Sequence, residues 1–204
     1  MPFSAAQIVP LIIATSFAAG LNVYATIATL GLLGHFHAVS LPGSLTLLQD
    51  WRVIAIASAL FVLELFADKI PYFDLLWNAV HTFIRVPVAA LLAYAASTQL
   101  SPEWHYASVA LASGVALAAH GGKTALRAGV TPSPEPFSNI ALSASEDVLA
   151  IFLTWLATRH PYIAAALALT LVALLILAIR WIWRRLRAFI RRLRSGPTSA
   201  PARV

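Results

Sequence analysis

The sequence predicts an all-α integral membrane protein, a bundle of about six transmembrane helices. Of its 204 residues, 60% are hydrophobic and only 11% are charged, whereas soluble domains run near 25% charged. The mean hydropathy is +0.80. Because a membrane-spanning helix needs about 20 apolar residues, the chain is long enough for about five to seven spans. The absence of cysteine excludes disulfides and thiolate chemistry.

Helix one is predicted over residues 7–34. Three small polar residues share one of its faces at i, i+4 and i+7: Asn22, Thr26 and Thr29. They predict hydrogen bonds between helices, which are common in membrane bundles, or a loosened turn that lines a cavity. A loop follows over residues 35–50. Its two histidines, His35 and His37, lack a third ligand. Solvated histidines in a loop are therefore a better interpretation than a metal site.

Helices two and three carry most of the charge of the first half. Helix two is predicted over residues 51–69, with Glu64 and Asp68 one turn apart near its end, and Pro71 then forces a turn. Helix three is predicted over 74–97. One face of it carries a polar stripe at i, i+4, i+7 and i+11: Asp74, Asn78, His81 and Arg85. Charged groups inside a membrane are costly and usually mark a pathway, a site or a buried pair.

Helices four and five repeat this arrangement. Helix four runs from a loop at 98–106 to about residue 127, and one of its faces carries His120, Lys123 and Arg127. A proline-rich turn separates it from helix five, because prolines that close together forbid a helix. Helix five begins near residue 139 and ends at 159. Its polar residues are Asn139, Ser143, Glu146 and Asp147.

The basic charge of the chain lies in its last segment. Residues 180–204 hold eight arginines and no acid, so we predict a transmembrane domain over 1–179, a basic amphipathic extension over 180–194 and a disordered tail over 195–204. Basic segments beside a span fix orientation and bind anionic lipid, which predicts a bacterial inner-membrane protein with both termini in the cytoplasm and no role in nucleic-acid binding. The predicted headgroup contacts are Arg180, Arg184, Arg185, Arg187, Arg191, Arg192 and Arg194.

The two proline-marked turns resemble each other. Residues 71–81 can be laid over residues 136–146, and in both segments a proline is followed by an aromatic residue, a polar cap and an ionisable group one or two turns later. Many transporters are built from internal repeats, with the site at the repeat interface. The alternative is coincidence in a sequence of low complexity.

The polar residues of the helices are expected to meet, because charges cannot face lipid cheaply. One hypothesis is a transporter or channel-like permease, with a polar, charged vestibule that faces the cytoplasm and carries an unknown polar solute or protons. The alternative is a non-transporting scaffold, lipid-binding protein or assembly factor held together by a structural charge network. The candidate pathway residues are Asn22, Glu64, Asp68, Asp74, Asn78, His81, Arg85, His120, Lys123, Arg127, Asn139, Glu146 and Asp147.

An intramembrane enzyme is the least favoured interpretation. The sequence contains no His-Glu-x-x-His, no Gly-x-Ser-x-Gly and no phosphate-binding loop. Ser145 lies beside Glu146, but no spacing brings a histidine to them in a known hydrolase pattern. We therefore expect no cofactor and no metal, and we leave a homo-oligomer open.

Five separated motifs resemble a bacterial family of integral membrane proteins known only as a domain of unknown function. The resemblance covers about residues 8–165 and implies a small helical membrane protein, but no substrate or reaction. The motifs are Ala19-Gly-Leu-Asn-Val-Tyr-Ala-Thr26, Glu64-Leu-Phe-Ala-Asp-Lys-Ile-Pro71 with Asp74 and Trp77, His81-Thr-Phe-Ile-Arg85, His120-Gly-Gly-Lys-Thr-Ala-Leu-Arg127, and Ser133-Pro-Glu-Pro-Phe-Ser-Asn139 with Glu146-Asp147.

Overall fold

The structure, a computed structural model, describes residues 3–67, 73–130 and 136–194. These residues form seven α-helices, one 3₁₀-helix and no strand, so the all-helical prediction is confirmed for the described chain. The helices are α1 (Ala5–Leu21), α2 (Val23–His35), the 3₁₀-helix (Gly43–Gln49), α3 (Trp51–Ala67), α4 (Phe73–Ala96), α5 (Pro102–Val130), α6 (Pro136–Arg159) and α7 (Pro161–Arg194).

Three of the helices are long and apolar enough to cross a membrane, which suggests a membrane protein. The apolar stretches are Ala79–Ala96 in α4, Ile140–Arg159 in α6 and Pro161–Arg185 in α7, whereas α1 and α2 are shorter apolar helices. Large apolar side chains cover the outside of the bundle, among them Phe66 of α3 and Leu177 of α7. An apolar exterior of this extent suits contact with lipid.

Prolines set the beginnings of three helices. Pro102, Pro136 and Pro161 are the first residues of α5, α6 and α7, the position where a missing N–H costs nothing and the fixed φ favours the helix. Two helices therefore begin earlier than predicted, α5 inside the expected loop at 98–106 and α6 before Asn139. In α7 the span and the basic extension are one continuous helix of 34 residues, about 50 Å long.

The segment predicted as one helix over 7–34 is two helices. Asn22 separates α1 from α2 in an extended conformation, with φ −148° and ψ 104°, and its Oδ1 accepts a hydrogen bond from the N–H of Ala25 at 2.9 Å. This is the N-cap arrangement that starts a new helix. The chain also reverses here, since Ile12 of α1 and Leu30 of α2 belong to one apolar cluster.

The reversal brings both ends of the α1–α2 pair to the same end of the bundle. Phe3 shares a pocket with Val39, beyond α2, and with Arg159, at the end of α6. We call this the Phe3 end. Because α7 begins beside it at Pro161 and is one continuous helix of about 50 Å, the last residues of α7 lie at the opposite end, which we call the Arg194 end. The prediction that both termini lie on the same side of the membrane depended on a single span over residues 7–34. It does not follow from this hairpin.

Helix α1 occupies the centre of the bundle and positions the site. It packs against α4, α5, α6 and α7, and most of its side chains are buried. Gly20 permits the close approach of α5, because a Cβ at this position would lie 2.5 Å from the carbonyl oxygen of Ala116 and 2.7 Å from the Cβ of Ala119. The last turn of α1 is therefore held against the middle of α5.

Candidate functional site

A buried ion pair between α3 and α4 forms the centre of the site. The Nη2 group of Arg85 donates a hydrogen bond to Oε1 of Glu64, and both side chains are fully buried. The ammonium of Lys123, from α5, lies 3.9 Å from the same oxygen. Oε2 of Glu64 is buried and accepts no hydrogen bond from the described residues. One carboxylate thus faces two cations from two helices.

Lys123 connects this ion pair to the break between α1 and α2. Its Nζ lies 3.2 Å from Oε2 of Glu146 in α6 and donates a hydrogen bond of 3.2 Å to the carbonyl of Leu21. Leu21 is the last residue of α1, and the last carbonyls of a helix have no partner within the helix. A cation at this position also interacts favourably with the negative end of the helix dipole.

The second contact at the break comes from α6. The Nδ2 group of Asn22 donates a hydrogen bond of 2.8 Å to Oδ1 of Asp147, and both residues are buried. Asn22 therefore uses its oxygen to cap α2 and its nitrogen to hold a carboxylate. Asp147 and the neighbouring Glu146 bring two acids to the point where the helix is interrupted.

The partners of His120 fix its tautomer. Nη1 of Arg85 lies 2.9 Å from Nδ1 of His120, and a guanidinium can only donate. Nδ1 is therefore the acceptor, the ring is neutral and its proton lies on Nε2, which donates to the hydroxyl of Thr82 at 2.7 Å. The arrangement is a hydrogen-bonded chain from Glu64 through Arg85 and His120 to Thr82.

The partners of His81 also fix its tautomer. Its Nδ1 lies 2.8 Å from the carbonyl of Trp77, which can only accept, so Nδ1 carries a proton. In the neutral ring Nε2 then accepts from the hydroxyl of Tyr24, 3.2 Å away. The Trp77 ring lies over His81 with centroids 4.5 Å apart. His81 thus links α4 to the first turn of α2.

These side chains form a closed network inside the described structure. Arg85 and Lys123 pair with Glu64 and Glu146, and Asp147 bonds to Asn22. All five charged side chains are nearly inaccessible, from 0% exposed for Glu64 to 6% for Glu146. In the described chain no group of three His, Asp or Glu side chains is arranged to hold a metal ion. The network is held by ion pairs and hydrogen bonds between its own side chains.

A pocket of about 220 Å³ lies directly beside this network. Lys123 and Glu146 form part of its wall, and the rest of the wall is almost entirely apolar. Its lining residues come from α1, α5, α6 and α7: Phe17, Leu21, Lys123, Leu126, Leu142, Ser145, Glu146, Leu149, Leu171 and Leu175.

The sequence model of one family, Domain of unknown function (DUF4126), matches residues 9–181. The chain belongs to this family. The match includes α2 to α6, nearly all of α1 and the apolar part of α7, so every described residue of the network lies inside it. No curated protein and no solved structure matches the chain. The family name states no activity.

The structure brings together eight of the thirteen residues predicted from the sequence. Seven of them are in direct contact with at least one other: Asn22, Glu64, Arg85, His120, Lys123, Glu146 and Asp147. The eighth, His81, is buried nearby and contacts Tyr24 and Trp77. They pack against one another rather than line an open vestibule. Asp68 lies outside the described residues, and so do the side chains of Asp74, Asn78, Arg127 and Asn139, which stay predictions.

Some functional contacts were not predicted from the sequence. The carbonyl of Leu21 can accept a hydrogen bond from Lys123 only because α1 ends there. The hydroxyls of Tyr24 and Thr82 contact histidines from other helices. The hydroxyl of Thr26, by contrast, bonds to the carbonyl of Asn22 in its own chain segment at 2.9 Å, not to another helix. Hydroxyl side chains are common on apolar helices, so their presence in the sequence did not predict these contacts.

The predicted headgroup arginines lie along the far part of α7. Five of them are exposed in the structure: Arg180, Arg184, Arg185, Arg187 and Arg191. Arg185 lies 5.3 Å from the ring centre of Trp181, and Arg187 lies 5.5 Å from that of Trp183, which are cation–π contacts. The side chains of Arg192 and Arg194 lie outside the description.

Proposed function

We propose that this protein is a small permease that moves protons or a charged solute past the break between α1 and α2. The observation that carries the proposal is the position of Lys123. It joins the free carbonyl at the end of α1 to carboxylates on α3 and α6. Transporters commonly place their sites near the bilayer midplane, at the ends of interrupted helices.

The depth of the network supports this proposal. Helix α3 begins near the Phe3 end, where Trp51 contacts His35. At 1.5 Å per residue, Glu64 lies about 20 Å along α3 from its first residue, and Arg85 lies about 16 Å along α4 from Ala96. The hydrocarbon core is about 30 Å thick, so these charges fall near its middle.

The chemistry of the network also supports a functional role. Buried ion pairs are weak stabilisers, because the loss of hydration largely cancels the attraction between the charges. A bundle that needed only stability would do better with apolar side chains at these positions. Ionisable residues inside a membrane are usually part of an ion, proton or substrate path.

For the topology we propose a bacterial inner-membrane protein with the Arg194 end in the cytoplasm, in accordance with the positive-inside rule. Helices α3 to α7 would cross the bilayer, and the α1–α2 hairpin would enter and leave from the Phe3 side. The proposed internal repeat would then relate the beginning of α4 to the beginning of α6, both at the Arg194 end. The network would open toward the cytoplasm during transport.

The proposal is tested in liposomes that contain the purified protein and a trapped pH indicator. A potassium gradient with valinomycin drives protons inward. We expect the natural protein to raise the rate of acidification about tenfold or more over empty liposomes, and Glu64→Gln to abolish the increase. Glu103→Gln, an exposed acid at the start of α5, is the matched control and should keep the full rate.

The closed packing of the network favours a second candidate function, a non-transporting scaffold. All five described charged side chains at the centre are buried, as they would be in a purely structural cluster. In that case the natural protein would not raise proton or solute flux, and Glu64→Gln would act only on stability. If the natural protein raises the flux and a folded Glu64→Gln variant does not, the result supports the permease. If the natural protein itself does not raise the flux, the result supports the scaffold.

A further inference from the structure

The pocket beside Lys123 has the properties of a binding site for an amphiphile. Its volume of about 220 Å³ lies below the range of about 300–1,000 Å³ that is usual for drug-sized ligands. It therefore suits part of a single hydrocarbon chain better than the body of a two-chain lipid. Leucines from four helices form most of the wall, among them Leu21, Leu142 and Leu175.

Two residues with charged side chains belong to this wall, and their charged ends lie behind its apolar surface. Lys123 is 1% exposed and Glu146 is 6% exposed, and their charged ends are 3.2 Å apart. Among the described residues that line the pocket, Lys123 is the sole cation. An apolar pocket with one buried cation matches a molecule with an apolar chain and one negative head group.

The pocket opens on the side of the bundle. Leu126 of α5 is 41% exposed, and Ser145 of α6 is exposed as well. Helices α5 and α6 make few contacts with each other, and the Lys123–Glu146 ion pair bridges the space between them. In the topology proposed above, this side would face the hydrocarbon of the bilayer, so that chains of membrane amphiphiles would reach the opening without passing through water.

We propose that the pocket binds a single-chain amphiphile with a carboxylate or phosphate head group. The chain lies against the leucines, and the head group replaces Glu146 as the partner of Lys123. The exposed arginines of α7 would concentrate such anions at the Arg194 side of the membrane. The inference deepens the proposed function, on which it rests for the step from binding to transport, by naming the class of cargo.

The exchange of partners connects the pocket to the charge network. When an anion occupies Lys123, Glu146 loses its partner across the α5–α6 space, and the bridge between the two helices opens. Because Lys123 also holds the carbonyl of Leu21, the same event changes the contact at the end of α1. Binding from the side and rearrangement of the broken helix are thereby coupled.

The test measures equilibrium binding in nanodiscs of zwitterionic lipid. The probes are dodecanoate, dodecyl phosphate, dodecanol and dodecylamine, each displacing a spin-labelled fatty acid. We expect both anions to bind about tenfold or more tightly than dodecanol, and dodecylamine to bind most weakly. If dodecanol binds as tightly as the two anions, the proposed role of Lys123 is wrong.

Two variants locate the binding. Leu142→Phe fills the pocket, and Ser145→Trp blocks its opening from an exposed position, so the second variant should fold even if the first does not. We expect each to weaken dodecanoate binding about tenfold. Leu174→Phe is the matched control, because Leu174 is 56% exposed and lies outside the pocket lining. Unchanged binding in both pocket variants would overturn the inference.

Binding and transport can fail separately. No gradient is present in the nanodiscs, so tight binding of the anions together with no movement of protons or of dodecanoate across liposomes would reject the permease and keep the binding site. Proton flux in liposomes together with equal binding of all four probes would reject the amphiphile and keep the permease.

Discussion

Lys123 of α5 donates a hydrogen bond of 3.2 Å to the carbonyl of Leu21, the last residue of α1. The same ammonium lies 3.2 Å from the carboxylate of Glu146. One side chain therefore satisfies the end of an interrupted helix and neutralises an acid on a third helix. The carboxylate of Glu146 and the end of α1 therefore share one ammonium as their partner.

Replacing one partner of the central ion pair should strongly destabilise the protein. Glu64→Leu leaves the buried guanidinium of Arg85 without its carboxylate, and such losses cost about 3–5 kcal/mol. The double variant with Arg85→Met should recover most of that loss, because a pair replaced by apolar groups of similar size is close to neutral. Unfolding in detergent, followed by circular dichroism, measures both. A double variant less stable than the single one would contradict the pairing.

The close contact between α1 and α5 should make Gly20 intolerant of a side chain. Gly20→Ala places a Cβ 2.5 Å from a carbonyl oxygen of α5, so the helices must separate and the Leu21–Lys123 hydrogen bond must lengthen. We expect a loss of about 1–3 kcal/mol, as for other overpacked sites. Gly114→Ala is the control, since a Cβ there meets nothing within 4 Å and alanine favours the helix. Equal stability of the two variants would refute the close contact.

Periodicity on apolar helices was enough to predict much of the site. His81 and Arg85 lie one turn apart on α4, and His120 and Lys123 share a face of α5. Since charges on such helices avoid lipid, they were expected to meet inside the bundle. Arg85 contacts His120 there, and both Arg85 and Lys123 pair with Glu64. The sequence also predicted an all-helical protein, because its hydrophobic fraction is too high for a soluble domain.

The reversal at Asn22 was beyond what the local pattern could indicate. Residues 7–34 are apolar on both sides of Asn22, and one polar residue does not separate a kinked span from a hairpin. The break is held by Lys123 and Asp147, which come from helices about 100 residues or more further along the chain. Only the three-dimensional packing brings these partners to the break.

The Asn22–Asp147 hydrogen bond can be tested by exchanging the two side chains. Asn22→Asp puts two carboxylates in contact in a buried site, which should cost about 3 kcal/mol or more. Adding Asp147→Asn restores one amide and one carboxylate, so the double variant should regain most of the stability. Thermal unfolding in detergent is the measurement. Thr170→Ala, at an exposed position on α7, should stay within about 0.5 kcal/mol of the natural protein.

The hairpin at Asn22 predicts that the two ends of the chain lie on opposite sides of the membrane. The chain has no cysteine, so single cysteines can be introduced without a background signal. Ser4→Cys and Ser101→Cys lie at the Phe3 end, and Arg191→Cys lies near the Arg194 end. In intact bacterial cells, a membrane-impermeant maleimide should label the first two, because the arginine-rich end is retained in the cytoplasm. Arg191→Cys should react only after the membrane is permeabilised.

The comparison between the first and last positions is the decisive one. A single span over 7–34 would place Ser4 on the same side as Arg191, whereas the hairpin places it on the same side as Ser101. Labelling of Ser4→Cys together with Ser101→Cys would support the hairpin even if the absolute orientation were inverted. Labelling of Ser4→Cys together with Arg191→Cys would reject it, and with it the position of Lys123 at an interrupted helix inside the membrane.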